Sequence, residues 1–169
     1  MPRIHVCPLS RLEATVNESG ASHLVTLLGA MSVRRPVGIA RERHLRLNLH
    51  DIAEPVPGQR LPDAEHVAAF LKFVRGWDQT RPIVIHCFAG ISRSTAGAFI
   101  AFCALRPERE EAAIARELRS ASPSAMPNRR LVALGDGLLE RQGRMIAAVE
   151  AMGAASHADE AVPFHLALA

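Results

Sequence analysis

The residues best suited to chemistry lie between Pro82 and Phe102, in PIVIHCFAGISRSTAGAFIAF. A β-branched run ends on His86 and Cys87, a short loop of Phe88, Ala89, Gly90, Ile91 and Ser92 follows, and Arg93 then opens a helix of small and apolar residues. A core has no need of a thiol and a guanidinium six positions apart. The loop is short enough for its backbone amides to turn inward around one small anion, and the helix adds its unsatisfied N–H groups and positive dipole end. Arg93 supplies a planar fork that matches two phosphate oxygens, a geometry lysine cannot copy. An ordinary cysteine is mostly protonated at neutral pH, but a helix N-terminus and an electropositive nest favour the thiolate. Cys87 is therefore a candidate nucleophile toward a phosphate. Gly90 lets the loop turn without a side chain in the anion's way, and Ser94 can give its hydroxyl to the sulfur when the thiolate has to leave. His86 points away from Cys87 by strand alternation and is placed to brace the loop. The competing reading of Cys87 is a buried core cysteine, the usual fate of a lone one, and Gly90, Arg93 and Ser94 weigh against it. Cys7 and Cys103 keep that core reading.

These groups need a frame, and the flanking sequence describes one. RIHVC and SHLVTLLG read as short buried strands joined by a helix that ends before Gly20, a β-α-β unit. HLRLNLHD alternates Leu45, Leu47 and Leu49 with polar residues, the period of a strand with one apolar face. IAEPVPGQR is a loop by its two prolines and glycine. The helix after it opens with Pro62 and places Val67, Phe70, Leu71 and Val74 at helical spacing. RPIVIHC is a fully buried strand, followed by the small-residue helix, an amphipathic helix opening at Pro107, and one long helix or two joined near Gly135 to Gly137. Strands alternating with helices indicate an α/β fold with a central, mostly parallel (mixed) sheet flanked by helices, and an all-helical C-terminal half. Residues 1–152 are expected to form one domain and 153–169 a C-terminal tail, whose apolar end VPFHLALA is suited to dock on it.

The composition limits the partners. The chain has 169 residues, 49% of them hydrophobic, enough for one domain with a sizeable core. Net charge is +3, but basic and acidic residues interleave and only seven residues are aromatic, with no tyrosine. That is a mixed-sign solvated surface without the basic footprint and stacking platforms of a nucleic-acid module. No apolar run reaches transmembrane length and the N-terminus lacks a signal-peptide pattern. Three cysteines without a CxxC pair suggest neither a disulfide framework nor a zinc site. The expectation is a cytoplasmic chain with no cofactor, no metal, no nucleic-acid partner and no membrane attachment, its oligomeric state open.

A phosphate ester leaves poorly unless a general acid protonates the departing oxygen. Asp51 follows the strand LRLNLH, opens the Pro-rich loop and is the first candidate; Glu54 in the same loop is the second. Asp63 reads as a partner of its own helix N-terminus. His50, beside Asp51, is either a neighbour that tunes the acid or a surface histidine.

HCFAGISRS resembles the HCxxGxxR[ST] signature, the CX5R phosphate loop, of cysteine-dependent protein tyrosine phosphatases, and the form AGxSRS is similar to their dual-specificity branch. The likeness extends over the flanking strand and helix and, more loosely, from Arg43 to about Leu131, including Pro127 and Asn128. It implies a protein-tyrosine-phosphatase-like fold and a phosphomonoesterase. Its catalytic residues would be Cys87, Arg93, Asp51 and Ser94, with the phosphate held by residues 88–93 and a phosphocysteine intermediate. His86 and Asn128 would have supporting roles, Asn128 either steadying the loop or simply capping a helix. The family's WPD tripeptide is absent, so the acid rests on its position. Phosphotyrosine on proteins is the expected substrate, with phosphoserine or phosphothreonine and small phosphomonoesters beside it. The alternatives are an RNA 5′-phosphatase or phosphoinositide phosphatase, whose loops usually carry a basic or histidine residue that this one lacks, and a non-catalytic phosphotyrosine-binding module, which would be expected to lack the nucleophile. Arsenate reductases place such a loop near the N-terminus, and a rhodanese needs neither the Arg-Ser pair nor the acid.

Overall fold

The computed structural model describes residues 1–168. Its strands are β1 (Arg3–Pro8), β2 (His23–Leu28), β3 (His44–Asn48), β4 (Ile83–Cys87) and β5 (Phe164–Ala167). They form one sheet in the order β3-β2-β4-β1-β5. The helices are α1 (Leu12–Ser19), α2 (Ala64–Arg75), α3 (Arg93–Leu105), α4 (Glu111–Ala121), α5 (Arg129–Leu138) and α6 (Arg144–Glu150). Strand β4 lies at the centre, parallel to both β1 and β2, and all five of its residues are buried. A continuous apolar run is what a parallel strand covered on both faces requires. Strand β3 pairs in parallel with β2, so the loops after β1 to β4 all leave at one edge of the sheet, where α/β folds build their sites.

Strand periodicity divides the core into two layers. Ile4, Val6, Val25, Leu27, Ile83 and Ile85 pack with α2, α3, α5 and α6 on one face, whereas Leu24 and Val84 meet Leu12 and Val16 of α1 on the other. The small residues of α3 matter here. Ten consecutive residues from Ser94 to Cys103 are buried, which seats the helix centrally, with its first turn under the end of β4.

The structure sets the strand order and moves several element bounds. Strands β1 and β2 are joined by α1 but are not neighbours, because β4 inserts between them. Helix α2 starts after Pro62, with Asp63 as a capping-box N-cap whose carboxylate accepts from the His66 amide. Helix α4 begins at Glu111 and not at Pro107: the chain first makes a turn closed by Arg109 N–H on the Arg106 carbonyl, and the extended Glu110 is the cap. The C-terminal helices break at residues 139–143 and not at Gly135 to Gly137. Gly135 serves packing, since a Cβ there would stand 2.8 Å from Ile100 of α3. The break itself is fixed by Asp136, whose carboxylate accepts from the Gly143 and Met145 amides at the start of α6.

The C-terminal half is not all helical, and its last residues rejoin the domain. Phe164–Ala167 form β5, antiparallel to β1 at the sheet edge. Burial of Phe164, Leu166 and Leu168 explains the apolar character of the terminal sequence.

Candidate active site

Cys87 ends β4 and its side chain is only 2% exposed. The loop that follows is held from outside by its carbonyl groups. The Phe88 carbonyl accepts from Leu9 N–H at 3.0 Å, Ala89 from Ala161 N–H at 2.9 Å, and Ile91 from Met126 N–H at 2.9 Å. The Ser92 carbonyl accepts from the Ala96 and Asn128 amides, and the Thr95 hydroxyl donates to both Ile91 and Ser92 carbonyls. In a planar trans peptide the C=O and the next N–H point in opposite directions. Tying these four carbonyls outward therefore turns the amides of Ala89, Gly90, Ser92 and Arg93 to the other side, the nest the sequence suggested. Gly90 has φ +73°, and a Cβ on it would stand 2.8 Å from the Pro8 nitrogen at the end of β1. Both the backbone conformation and the close approach exclude a side chain.

Arg93 is 9% exposed. One terminal nitrogen donates to the Leu49 carbonyl at 3.2 Å, while its Nε is buried without a partner among the described residues. Buried donors are nearly always satisfied, so this fork is anchored on one side and has donor capacity left for an anion. The Ser94 hydroxyl lies 3.1 Å from Cys87 Sγ. Burial pushes the thiols of Cys7 and Cys103 up to about 12, leaving both inert at neutral pH. All three cysteines are free.

Asp51 follows β3 and bends back to the rim of the loop. Its Oδ1 accepts from the Ser92 hydroxyl at 2.6 Å and from Asn128 Nδ2 at 2.9 Å. The Asn128 side chain caps a helix and holds the loop that carries Asp51. Its Oδ1 accepts from Leu131 N–H as the N-cap of α5, while its Nδ2 holds Asp51 and the Ile52 carbonyl. Among the described residues, the hydrogen bonds of His50 go to Arg60 and not to a carboxylate. Its backbone N–H donates to the Arg60 carbonyl and its Nδ1 accepts from the Arg60 amide, both at 2.8 Å, closing the neck of the loop that carries Asp51. Glu54 is exposed and lines a groove with Arg129, Val132 and Ile146 on α5 and α6.

His86 is fully buried and braces the loop through a partner the sequence reading missed. Thr26 Oγ1 lies 2.8 Å from His86 Nε2 and also 2.8 Å from His44 Nε2. His86 Nδ1 faces the Cys87 carbonyl at 3.4 Å. Burial, foremost, pushes both imidazoles down to about 4, with Arg46 adding to the effect on each. Both rings are therefore neutral at pH 7. The arrangement that gives every atom a compatible partner has His44 Nε2–H donating to Thr26, Thr26 donating to His86 Nε2, and His86 Nδ1–H facing the carbonyl. Thr26 is the lone polar residue within the apolar stretch Leu24–Leu28, and a buried polar group in such a run needs a partner. That was the signal for it.

Residues 54–129 match the family model described as protein-tyrosine phosphatase. Among solved structures, the chain is similar to the PTP-2 phosphatase of Cydia pomonella, at 17% identity and a TM-score of 0.62, over 79% of this chain and 84% of that one. It is similar to human DUSP28 at 19% identity and a TM-score of 0.59, over 82% and 92% of the two chains. DUSP15 matches at 15% identity and a TM-score of 0.63, over 88% and 89%. No curated protein sequence matches the chain. The family match over this central stretch and the solved structures agree on one point: the chain has the fold of the protein-tyrosine and dual-specificity phosphatases.

Proposed function

We propose that the chain hydrolyses phosphomonoesters, with protein phosphotyrosine as the best substrate, through a phosphocysteine intermediate. The observation that carries this reading is the convergence on one loop of a buried Arg93 Nε without a partner, the Cys87–Ser94 pair and Asp51 at the rim. In the first step the Cys87 thiolate attacks phosphorus, an S–P bond forms and the ester P–O bond breaks. Asp51 gives its proton to the departing oxygen. Its Oδ1 is occupied by Ser92 and Asn128, which leaves Oδ2 to carry that proton. Arg93 and the inward amides bear the charge spread over the equatorial oxygens. In the second step Asp51 takes a proton from water, the water oxygen bonds to phosphorus, and the thiolate leaves with the Ser94 hydroxyl as its hydrogen-bond donor. The product is inorganic phosphate. Phe88, next to the nucleophile, is 52% exposed, an apolar surface at the mouth that suits an aromatic leaving group.

The test uses p-nitrophenyl phosphate and phosphotyrosyl, phosphoseryl and phosphoinositide substrates, all in the presence of a chelator. The wild type should turn over the aryl ester and favour the phosphotyrosyl peptide. Cys87→Ser should lose turnover and still bind that peptide, because Arg93 and the amides remain. Undiminished activity in Cys87→Ser, or strict dependence on a divalent ion, would rule out the cysteine mechanism.

A further inference from the structure

The chain from Gly153 onward does more than complete the sheet. It crosses the outside of the phosphate loop before joining it: Ser156 N–H donates to the Pro123 carbonyl, Glu160 Oε2 accepts from the Ser10 hydroxyl at 2.8 Å, and Ala161 N–H donates to the Ala89 carbonyl at 2.9 Å. From there it runs into β5, paired with β1, and Leu168 N–H donates to the Pro2 carbonyl. Ala161 is buried although its neighbours Glu160 and Val162 are exposed, so this one residue is pressed inward at the loop. The other carbonyl anchors of the loop come from β1's end, from the segment before α5 and from α3. The anchor on Ala89 is supplied by the C-terminal segment.

We propose that residues 159–163 are a positioning strap for the phosphate-binding nest, acting through the Ala161 amide. The Ala89–Gly90 peptide is the one at which the chain takes its positive φ, and glycine leaves that peptide freer to rotate than its neighbours. With the Ala89 carbonyl bonded outward to Ala161, the Gly90 N–H stays directed at the anion. Without that bond, rotation of the peptide would withdraw one donor and present a carbonyl oxygen to the phosphate. The Ser10–Glu160 contact and β5 hold the strap at either side of Ala161. This inference rests on the phosphatase reading, because the nest matters only if phosphate binds there.

The experiment compares Ala161→Pro, which removes the N–H, with Ala161→Gly, which keeps it. The readouts are kcat, KM and the inhibition constant for inorganic phosphate, with p-nitrophenyl phosphate as substrate. Loss of the oriented donor should raise KM and the phosphate inhibition constant together by about tenfold in Ala161→Pro, the scale of one neutral hydrogen bond, with Ala161→Gly close to wild type. A purely structural role would lower the active fraction, and so the apparent kcat, with the phosphate inhibition constant unchanged; that result overturns the strap. A second measurement needs no variant. Coupling is reciprocal, so saturating phosphate should slow amide hydrogen exchange at Ala161 in the wild-type chain, and unchanged exchange there also overturns the proposal. If the wild type hydrolyses no phosphomonoester and binds no phosphate, the phosphatase reading falls and the strap with it. Turnover with a silent Ala161 rejects the strap alone.

Discussion

Asp51 ties two loops together, since one carboxylate oxygen takes hydrogen bonds from both the loop after β4 and the start of α5, and the proposed mechanism makes it the general acid. Asp51→Asn keeps an oxygen to accept from Ser92 and Asn128, so the loop should hold its shape while the donated proton is lost. The expected effect on phosphotyrosine is a fall in kcat of about 10²–10⁴-fold, the usual contribution of general acid–base catalysis. A far smaller fall is expected for an aryl ester with an easily departing group, together with a flattened basic limb of the kcat–pH profile. Glu54→Gln should leave all of these unchanged, since Glu54 faces the α5–α6 groove. The reverse pattern would transfer the acid role to Glu54. At this scale the sequence was informative: Cys87, Gly90, Arg93 and Ser94 lie within eight consecutive positions, so local spacing constrains them. The partners of Asp51 lie 41 and 77 residues away. No local pattern specifies such contacts, which is why the bond from Asn128 to Asp51 was not legible beside its role as a helix cap.

The elements position these groups through a few buried polar links across strands. Thr26 on β2 bridges His86 on β4 and His44 on β3, and replacing it with valine would keep the shape and remove the bridge. His86 is fully buried, so Thr26→Val should cost about 1–3 kcal/mol, the penalty of an unsatisfied buried polar group. Denaturant unfolding would measure it. Activity should fall with it, Thr26→Ser should recover most of both, and a neutral Thr26→Val would show that the bridge supports nothing. The strands themselves were legible because two-residue alternation and apolar runs are local signals. Their order was not, because the insertion of β4 between β1 and β2 depends on which strands share a core. The break between α5 and α6 was misplaced for a related reason. Glycine reads as a helix stop in sequence, yet Gly135 is there to let Ile100 approach, and the break is specified by Asp136 seven residues before Gly143.

Over the whole molecule, several histidines are kept neutral by the fold. His5, His44 and His86 are all pushed down to about 4, each chiefly by burial, against an ordinary 6.5. Between these values the unfolded chain binds protons that the folded chain does not, so stability rises with pH across that window. The contribution is complete above about pH 6.5 and is lost as pH falls toward 4. Asp63, held below its ordinary value foremost by the His66 amide, adds a loss in the same direction at lower pH. The expected result is a Tm that is flat near neutrality and declines progressively below pH 6.5; a Tm that holds or rises down to pH 4.5 would contradict the buried neutral state of these rings. The same wide view shows what the tail sequence concealed. Its apolar residues predicted docking, but β5 pairs with a strand about 160 positions earlier, a match that alternation alone cannot register.

The central claim is that Cys87 takes the phosphoryl group. The most direct test mixes the protein with excess phosphotyrosyl peptide, quenches it in acid within one turnover, and reads the phosphorylated residue by mass spectrometry. A phosphoryl group on Cys87 that appears before inorganic phosphate is released, decays as the phosphate is released, and is absent in Cys87→Ser is the predicted result. Sustained hydrolysis with no phosphoryl group on Cys87 at any quench time, or with the group on another residue, would contradict it.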